Sequence, residues 1–183
     1  MFKKTAPFAA LLTVAALAAC GGSGGGDSDR DDSPSFAELA TRNEDMADRV
    51  AAMEETVTLP TAGSATYEGT GAFDVGTDGT TDMLAELALE ANFVSSEVGG
   101  EFSNFVGADG REIDGELTIA DSVVNSNTFD AHAAGTLDDN GAKDVEVDMA
   151  GTFHGADADA VAGTLDGAIG SDTLGGEFVA EKK

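Results

Sequence analysis

Cys20 is the residue whose setting points most directly to chemistry. It is the only cysteine of the chain and directly follows the small apolar run Leu17-Ala18-Ala19. That order resembles a bacterial lipobox, in which the thiol is acylated and the cysteine becomes the N-terminus after cleavage. A stray or buried thiol is the alternative, but it leaves this position unexplained. A single cysteine forms no disulfide within the chain, so the fold must be held together by packing.

The residues before Cys20 have the composition of a secretory signal peptide. Two lysines supply a positive start, and residues 6–19 are mostly apolar but fewer than the about 20 that span a bilayer as a helix. We predict a lipoprotein signal peptide over residues 1–19 and a mature chain anchored by palmitate-type acyl chains on Cys20. Gly21 stands where an aspartate would favour the inner membrane, so we expect the Gram-negative outer membrane, with the chain exposed at the cell surface.

The charge balance limits the partners. Cleavage before Cys20 removes two of the 9 basic residues and leaves 7 against 35 acidic ones, a net charge of −28. Nucleic acid is a poor partner for such a surface, because phosphate contacts need Lys and Arg. Solubility in a saline habitat, where salt screens self-repulsion, accounts for the charge more simply than cation binding does.

Side chains that could ligate a metal ion or haem are few. The two histidines, His132 and His154, both fall on outward positions of the strands predicted below. Simple hairpin pairing places His132 opposite a residue near Gly151 and His154 opposite one near Phe129, which separates the rings too far for one metal ion. We expect two surface histidines. Ligation of haem by one of them or by Tyr67 is the alternative.

Carboxylates and glycines form no motif of an enzyme. The segments GTDGTTD (76–82), DDNG (138–141) and GADADA (155–160) could hold calcium, but none has the spacing or the bidentate glutamate of an EF-hand. Turn formation explains them better. A nucleophile elbow and a dinucleotide fingerprint are also missing from the sequence. We predict no catalytic residues, no metal site and no resident cofactor, and therefore a binding or structural protein.

Two different segments precede the strands. Residues 20–34 are rich in Gly, Ser and Asp, so we expect a disordered tether. An amphipathic helix is predicted over residues 35–58, because Ser35 and Glu38 form a capping box and Pro60 follows the end. Its apolar stripe comprises Phe36, Leu39, Met46, Val50, Met53 and Val57. Such a stripe usually packs on its own domain, and a coiled-coil partner is the alternative.

From Ala65 onward the apolar period changes from helical to two. Eight successive segments place apolar residues and glycines on one face and charged or hydroxyl side chains on the other. In the second hairpin, Ser95-Ser96 fits a two-residue turn that pairs Phe93 with Val98. The inward face of the third segment is predicted to comprise Val98, Gly100, Phe102 and Val106.

Eight antiparallel strands with one apolar face each favour a closed barrel, because closure removes both sheet edges. The predicted fold is mainly β: an eight-stranded antiparallel up-and-down β-barrel over residues 59–183, preceded by one amphipathic helix. The interior has room for side chains or one small ligand, and inward glycines suit a tightly coiled wall. The charged outward face, with no Trp and one Tyr, differs from the aromatic-girdled band of a membrane-spanning barrel. A two-sheet sandwich is the competing architecture.

Several segments resemble the barrel domains of transferrin-binding protein B-like surface lipoproteins. They are ANFVSSEVGGEFSNF (91–105), AGTFHGADADAVAGTLDG (150–167), the ending LGGEFVAEKK, and the barrel entry LPTAGSATYEG (59–69). The resemblance implies a soluble eight-stranded barrel on a lipid anchor at a Gram-negative surface. Relatives bind transferrin, complement factor H or haem–protein complexes. This chain has room for one barrel and not for the handle domain of the bilobed receptors, which argues against transferrin capture.

Together these features predict an outer-membrane-anchored surface lipoprotein whose barrel is a ligand- or protein-binding module linked to iron or haem acquisition. A protein or haem ligand and an outer-membrane receptor are the expected partners. The alternative is a structural or interaction lipoprotein without a small-molecule ligand, which contacts its partners through the helix of residues 35–57.

Overall fold

The architecture is a closed barrel with one helix on its outer wall. The computed structural model describes residues 33–76 and 78–183, so Cys20 and the predicted signal peptide lie outside the described residues. The elements are α1 (Phe36–Ala51), β1 (Ser64–Val75), β2 (Met83–Asn92), β3 (Glu97–Gly107), β4 (Glu112–Asn125), β5 (Thr128–Asp138), β6 (Ala142–His154), β7 (Ala160–Ile169) and β8 (Asp172–Lys182). Strands pair antiparallel in chain order, and β8 pairs with β1. The predicted eight-stranded barrel is confirmed.

Aromatic side chains fill the barrel interior. Phe153 lies at the centre of one group: its ring centroid is 5.5 Å from that of Phe129 and 6.1 Å from those of Tyr67 and Phe93. The fully buried aromatic residues are Tyr67, Phe73, Phe102, Phe105, Phe129, Phe153 and Phe178. The interior was predicted to hold either side chains or one small ligand, and the structure shows that side chains fill it.

Inward glycines let these rings and the neighbouring strands approach closely. A Cβ atom at Gly163 would lie 2.1 Å from the carbonyl oxygen of Ala150 and 2.7 Å from the ring of Phe178. By contrast, the nearest neighbour of a Cβ atom at Gly99 would be the carbonyl oxygen of Ile119, at 3.5 Å. The first glycine is required by space, whereas the second occupies a position that accepts a methyl group.

Gly163→Ala should lower the free energy of unfolding by about 2 kcal/mol or more, because overpacking a filled interior typically costs about 1–3 kcal/mol and here a backbone carbonyl must move as well. Gly99→Ala is the matched control and should change stability by less than about 0.5 kcal/mol. Urea denaturation of both variants measures the difference. Equal losses of stability in the two variants would show that the close contacts at Gly163 are not what requires a glycine there.

Helix α1 packs its apolar stripe against the barrel wall. Its start is as predicted, with the Ser35 hydroxyl and the Glu38 carboxylate forming a capping box. Leu39, Met46 and Val50 are buried. The wall residues that cover them are Ala72, Leu84, Val106, Ala160 and Val179. The stripe therefore belongs to the chain's own domain, as the pattern favoured, and is not open to a coiled-coil partner.

Polar contacts fix the position of α1 on the wall. The Thr70 hydroxyl donates a hydrogen bond to Asn43 Oδ1 at 2.7 Å inside the buried interface. Outside it, Arg49 makes two 2.8 Å hydrogen bonds to the carboxylate of Glu181. A buried polar pair is costly to separate, because each group would lose its partner without regaining water. The pair therefore sets the register of the helix along the barrel.

The helix ends at Ala51, earlier than the predicted end near Thr58. Residues 54–56 instead run extended along the end of β6. The N–H of Thr56 donates to the Phe153 carbonyl at 2.9 Å, and three consecutive β-branched residues, 56–58, favour extended backbone over helix. As a result Val57, which the periodicity assigned to the apolar stripe, is 95% exposed.

The second hairpin differs from the predicted two-residue turn. Asn92 pairs with Glu97, and residues 93–96 form the loop. The Asn92 side chain accepts the N–H groups of Val94 and Ser95 at 3.0 and 3.1 Å, which stabilises the longer loop. The predicted register was wrong by two positions, a shift that leaves every side chain on the same face.

A β-bulge changes the alternation in β3. The pairing with β4 shifts between Phe102 and Phe105, and Asn104 between them has a φ of 52°. A bulge adds a residue to one strand and so reverses the faces beyond it. Phe105 therefore points into the barrel, and Val106, predicted to point inward, lies on the outer wall under α1.

Candidate functional site: the neutral end of the barrel

Tyr67 is placed inside the barrel and is not open to a ligand. Its ring is buried, and its hydroxyl donates a hydrogen bond to the Ala158 carbonyl at 2.8 Å. Burial, with a smaller contribution from the charge of Asp159, raises the pKa of the Tyr67 hydroxyl well above its ordinary value. Haem ligation requires an accessible oxygen, and here the oxygen is enclosed and already bonded.

The two histidines lie apart on the outer side of the wall. His132 pairs with Asp148, and its Nδ1 lies 3.0 Å from the Asp148 carboxylate. The predicted pairing near Gly151 was wrong. It was also inconsistent with the alternation, because it placed an outward residue opposite an inward one. His154 lies further along β6 at the end of the barrel, opposite Glu55, so the rings do not share a ligand.

The acidic turn segments use their carboxylates for turn formation. The Asp138 carboxylate accepts the N–H of Gly141 at 2.9 Å, and the Asp82 carboxylate accepts the N–H of Val75 at 2.8 Å. Within residues 33–76 and 78–183, no group of three or more His, Cys, Asp or Glu side chains is placed to hold a metal ion. Turn chemistry, which the sequence favoured over calcium, is what these contacts show.

One end of the barrel carries, beside the β6–β7 loop with Asp157 and Asp159, a surface without charges. Three segments form it, residues 56–63, 93–96 and 122–128, and none contains Asp, Glu, Lys or Arg. Hydrogen bonds tie them together: the Phe93 N–H donates to the Gly63 carbonyl at 3.0 Å, and the Val124 N–H to the Ser96 carbonyl at 3.3 Å. We call these three segments the neutral end. Residues 56–63 belong to the longest run without Asp, Glu, Lys or Arg in the described residues, 56–67.

Exposed large hydrophobic residues also concentrate at the neutral end. In the described part of the chain they are Val57, Val94 and Val123, with 95%, 72% and 55% of their surface exposed. Each comes from a different segment of the neutral end. A bulge in β4, where the pairing shifts between Ala120 and Val123, turns Val123 outward. Exposed apolar residues grouped on one surface are typical of interaction sites.

A shallow cleft of about 420 Å³ runs between the three segments. Residues 57–61 form one side, and Phe93 and Val124 provide apolar surface on the other. Both of these side chains also pack against the barrel core, so the floor of the cleft is supported from below. Side-chain hydroxyls and the Asn92 amide supply polar groups around it. The cleft can accept an aliphatic or aromatic side chain of a partner.

Periodicity alone did not reveal these residues. Val57 was assigned to the helix, and Val94 and Val123 lie beyond the segments whose alternation was clear. The signal that could have found them is the absence of charge: residues 56–67 form a run of twelve without an ionisable group except Tyr67. The two shorter uncharged segments, residues 93–96 and 122–128, are matched by uncharged runs elsewhere in the chain and give no such signal.

The barrel matches a protein-family model over residues 59–182, described as the C-lobe and N-lobe beta barrels of Tf-binding protein B. The chain belongs to this family. Among curated protein sequences, none matches the chain significantly. The family assignment therefore rests on the barrel, and the resemblance inferred from the sequence is confirmed.

Solved structures show the same barrel fold. A transferrin-binding protein B variant from Haemophilus parasuis Hp5 superposes with a TM-score of 0.50 at 19% identity, over 71% of this chain and 29% of that one. The protein from serogroup B Neisseria meningitidis gives 0.48 at 16% identity, over 72% and 27%. A surface lipoprotein gives 0.45 at 14%, over 71% and 65%. This chain thus spans about three-tenths of the length of the Haemophilus protein.

The one helix of the described residues, α1, is 16 residues long. None of the helical structure in residues 33–183 combines the length and the apolar character that crossing a bilayer requires.

Proposed function

We propose that this protein is a lipid-anchored surface module that binds a protein ligand through the neutral end of its barrel, and that the ligand is linked to iron or haem acquisition. The single observation that carries the proposal is that Val57, Val94 and Val123, the exposed large hydrophobic residues of the described chain, all lie in the three uncharged segments at one barrel end. Family membership supports a binding role rather than catalysis, because the matching family is named for binding.

The position of α1 supports presentation of the neutral end away from an anchor. Leu39, near the start of α1, packs against Leu84 and Val106, at the end of the barrel where β2 begins. Val50, near its C-terminus, packs against Ala160, close to the neutral end. The described chain therefore begins at the barrel end opposite the neutral end. A membrane anchor N-terminal to Ser33 would therefore be joined to the barrel at the end away from the neutral end.

The chemistry of the neutral end defines the kind of ligand. Its centre offers apolar and hydroxyl groups, and acidic residues border it: Glu55, Glu97, Asp121 and Asp130. A protein with an apolar contact patch bordered by Lys and Arg is complementary to this arrangement. Because side chains fill the barrel interior, the outer surface is the only place left for haem in the described barrel. A haem–protein complex therefore fits the proposal better than free haem does.

The alternative role of α1 as the contact for a partner receives no support from the packing. The stripe on which that hypothesis rested is covered by the barrel wall. A partner that used this stripe would have to displace α1 and separate the buried Asn43–Thr70 pair.

Val94→Asp should weaken ligand binding at least about tenfold, because a carboxylate placed in an apolar contact loses its hydration without gaining a partner. Biolayer interferometry with iron-loaded transferrin and with haemoglobin measures this, and a Soret titration tests free haem. Ala108→Asp is the matched control: it also adds one carboxylate in place of an apolar side chain, but in the exposed β3–β4 turn at the opposite end. If Val94→Asp leaves the affinity unchanged, or if Ala108→Asp lowers the affinity as much, the neutral end is not the binding surface.

A further inference from the structure

The linker between α1 and β1 is held on the end of β6 by a short antiparallel pairing. Glu55 lies opposite His154. The Thr56 N–H donates to the Phe153 carbonyl, and the Gly155 N–H donates to the Glu54 carbonyl, both at 2.9 Å. The Thr56 hydroxyl adds a 2.7 Å bond to the Gly155 carbonyl. Pairing here involves three linker residues, so its stability is small compared with that of a barrel strand.

This pairing determines the position of one side of the cleft. Residues 57–61 follow directly and line it, and Val57 makes little contact with the rest of the fold, as its exposure shows. The next fixed points along the chain are Leu59, which packs against the barrel core, and Gly63, whose carbonyl accepts the Phe93 N–H. If residues 54–56 leave β6, Val57 and Thr58 lose the support on their N-terminal side, and the cleft loses that part of its wall.

His154 occupies the position where protonation opposes this pairing. Its Nδ1 atom is buried and has no hydrogen-bond partner. In the neutral ring this atom can remain unprotonated, with the proton on Nε2, but in the protonated ring it becomes a donor that must be satisfied. An unpaired buried donor, here with a positive charge, destabilises the closed arrangement.

The charged groups around His154 do not remove this conflict. Glu55 faces it from the linker, and its carboxylate also accepts a bond from Asn127 Nδ2 at 3.2 Å. Asp159 faces it from the β6–β7 loop, but it contacts His154 through its backbone N–H, at 2.7 Å from the His154 carbonyl. β7 presents Ala160. Burial lowers the pKa of His154, and the weaker effects of the Glu55 charge and of the nearby Met53 backbone oppose it without cancelling it.

We propose that His154 is a pH-sensitive latch: its neutral ring keeps residues 54–56 paired with β6, and its protonation releases the linker and opens the neutral end. The release itself is a property of the unliganded protein. Its consequence, ligand release at acid pH, rests on the proposed function of the neutral end.

The sign and the size follow from proton linkage. The open form exposes a histidine of ordinary pKa, about 6.5, and therefore binds a proton more readily than the closed form. Acidification shifts the equilibrium toward the open form. If the closed form binds no proton, lowering the pH from 8 to 5 multiplies the opening constant by about thirtyfold, which is the upper limit of the effect.

Hydrogen exchange of the purified mature protein without ligand tests the latch. The reporters are the Thr56 and Gly155 amides, whose hydrogen bonds form the pairing. After correction for intrinsic exchange, their protection should fall by up to about thirtyfold between pH 8 and pH 5, while amides of the β5–β6 ladder keep theirs. Protection that does not change with pH would overturn the proposal.

The chain supplies a matched control, since His132 is its only other histidine. His154→Gln keeps a neutral polar side chain at every pH and should abolish the pH dependence, whereas His132→Gln should leave it intact. If His132→Gln abolishes the pH dependence of protection, the effect belongs to His132, and the latch proposal is wrong. If His154→Gln does not fold, NMR titration of the His154 ring in the unmodified protein decides: its protonation must coincide with the loss of Thr56 protection. Failure of the Val94→Asp binding test leaves these readouts unaffected, so the two proposals fail separately.

Discussion

Phe153→Ala should lower the free energy of unfolding by about 3–5 kcal/mol, the range for truncating a buried aromatic side chain. Phe153 is fully buried, and its ring contacts those of Tyr67, Phe93 and Phe129. The cavity would be lined by other aromatic rings, which are rigid and collapse poorly into the space. Chemical denaturation followed by circular dichroism measures the loss.

Phe93→Ala is the control for this prediction. Phe93 belongs to the same aromatic group but lies at the rim and is only half-buried, so less surface returns to water and its loss should cost less. Equal losses would contradict the view that Phe153 is the centre of the group. The Phe153 carbonyl also accepts the Thr56 N–H, so a disturbed β6 should reduce the protection of the linker as well.

The barrel could be predicted because its physical cause is a local pattern. Inward residues repeat every second position along eight segments, and a sheet closed on itself is the arrangement that buries all of them without free edges. Where the pattern is interrupted, the prediction failed. The bulge at Asn104 adds a residue that no periodicity announces, and Val106 was therefore placed on the wrong face.

The wall under α1 shows a second limit of the same reasoning. Leu84 and Val179 occupy outward positions and are buried by the helix. Their apolar character contradicts a fully hydrated outer face and could have indicated where α1 packs. The strands give the direction of a side chain, but only the tertiary contact tells which outward positions are covered.

The candidate site was the least predictable part, because it is formed by loops. Val57, Val94 and Val123 are exposed at one barrel end by a shortened helix, a four-residue hairpin loop and a bulge, and none of these features follows from the periodicity of the sequence. The Asn92 side chain, for example, selects the longer loop through two backbone N–H groups. Composition nevertheless contained one useful signal, since residues 56–67 form the longest run without Asp, Glu, Lys or Arg in the described residues.

Cys20→Ser should move the protein from the membrane fraction to the soluble fraction. Each buried CH₂ of an acyl chain contributes about 0.8 kcal/mol, and two or more chains on one residue give stable anchoring. Serine is close in size but cannot carry the lipid through a thioether. Fractionation of cells expressing either form, with detection of the barrel, measures the change. Gly21→Asp is the companion variant and should keep the protein in a membrane fraction but favour the inner membrane.

The anchor and the neutral end can be tested independently, which is what makes the proposed function specific. If the chain is cleaved and acylated at Cys20, as proposed, the anchor precedes the capping box of α1, and α1 runs along the wall toward the neutral end. The proposed surface location predicts that antibodies against residues 93–96 label intact cells carrying the wild-type protein and lose this label in Cys20→Ser. If Cys20→Ser stays associated with the membrane, the proposed lipid anchor on Cys20 is wrong. It would leave the binding surface untouched, because the Val94→Asp comparison uses purified protein.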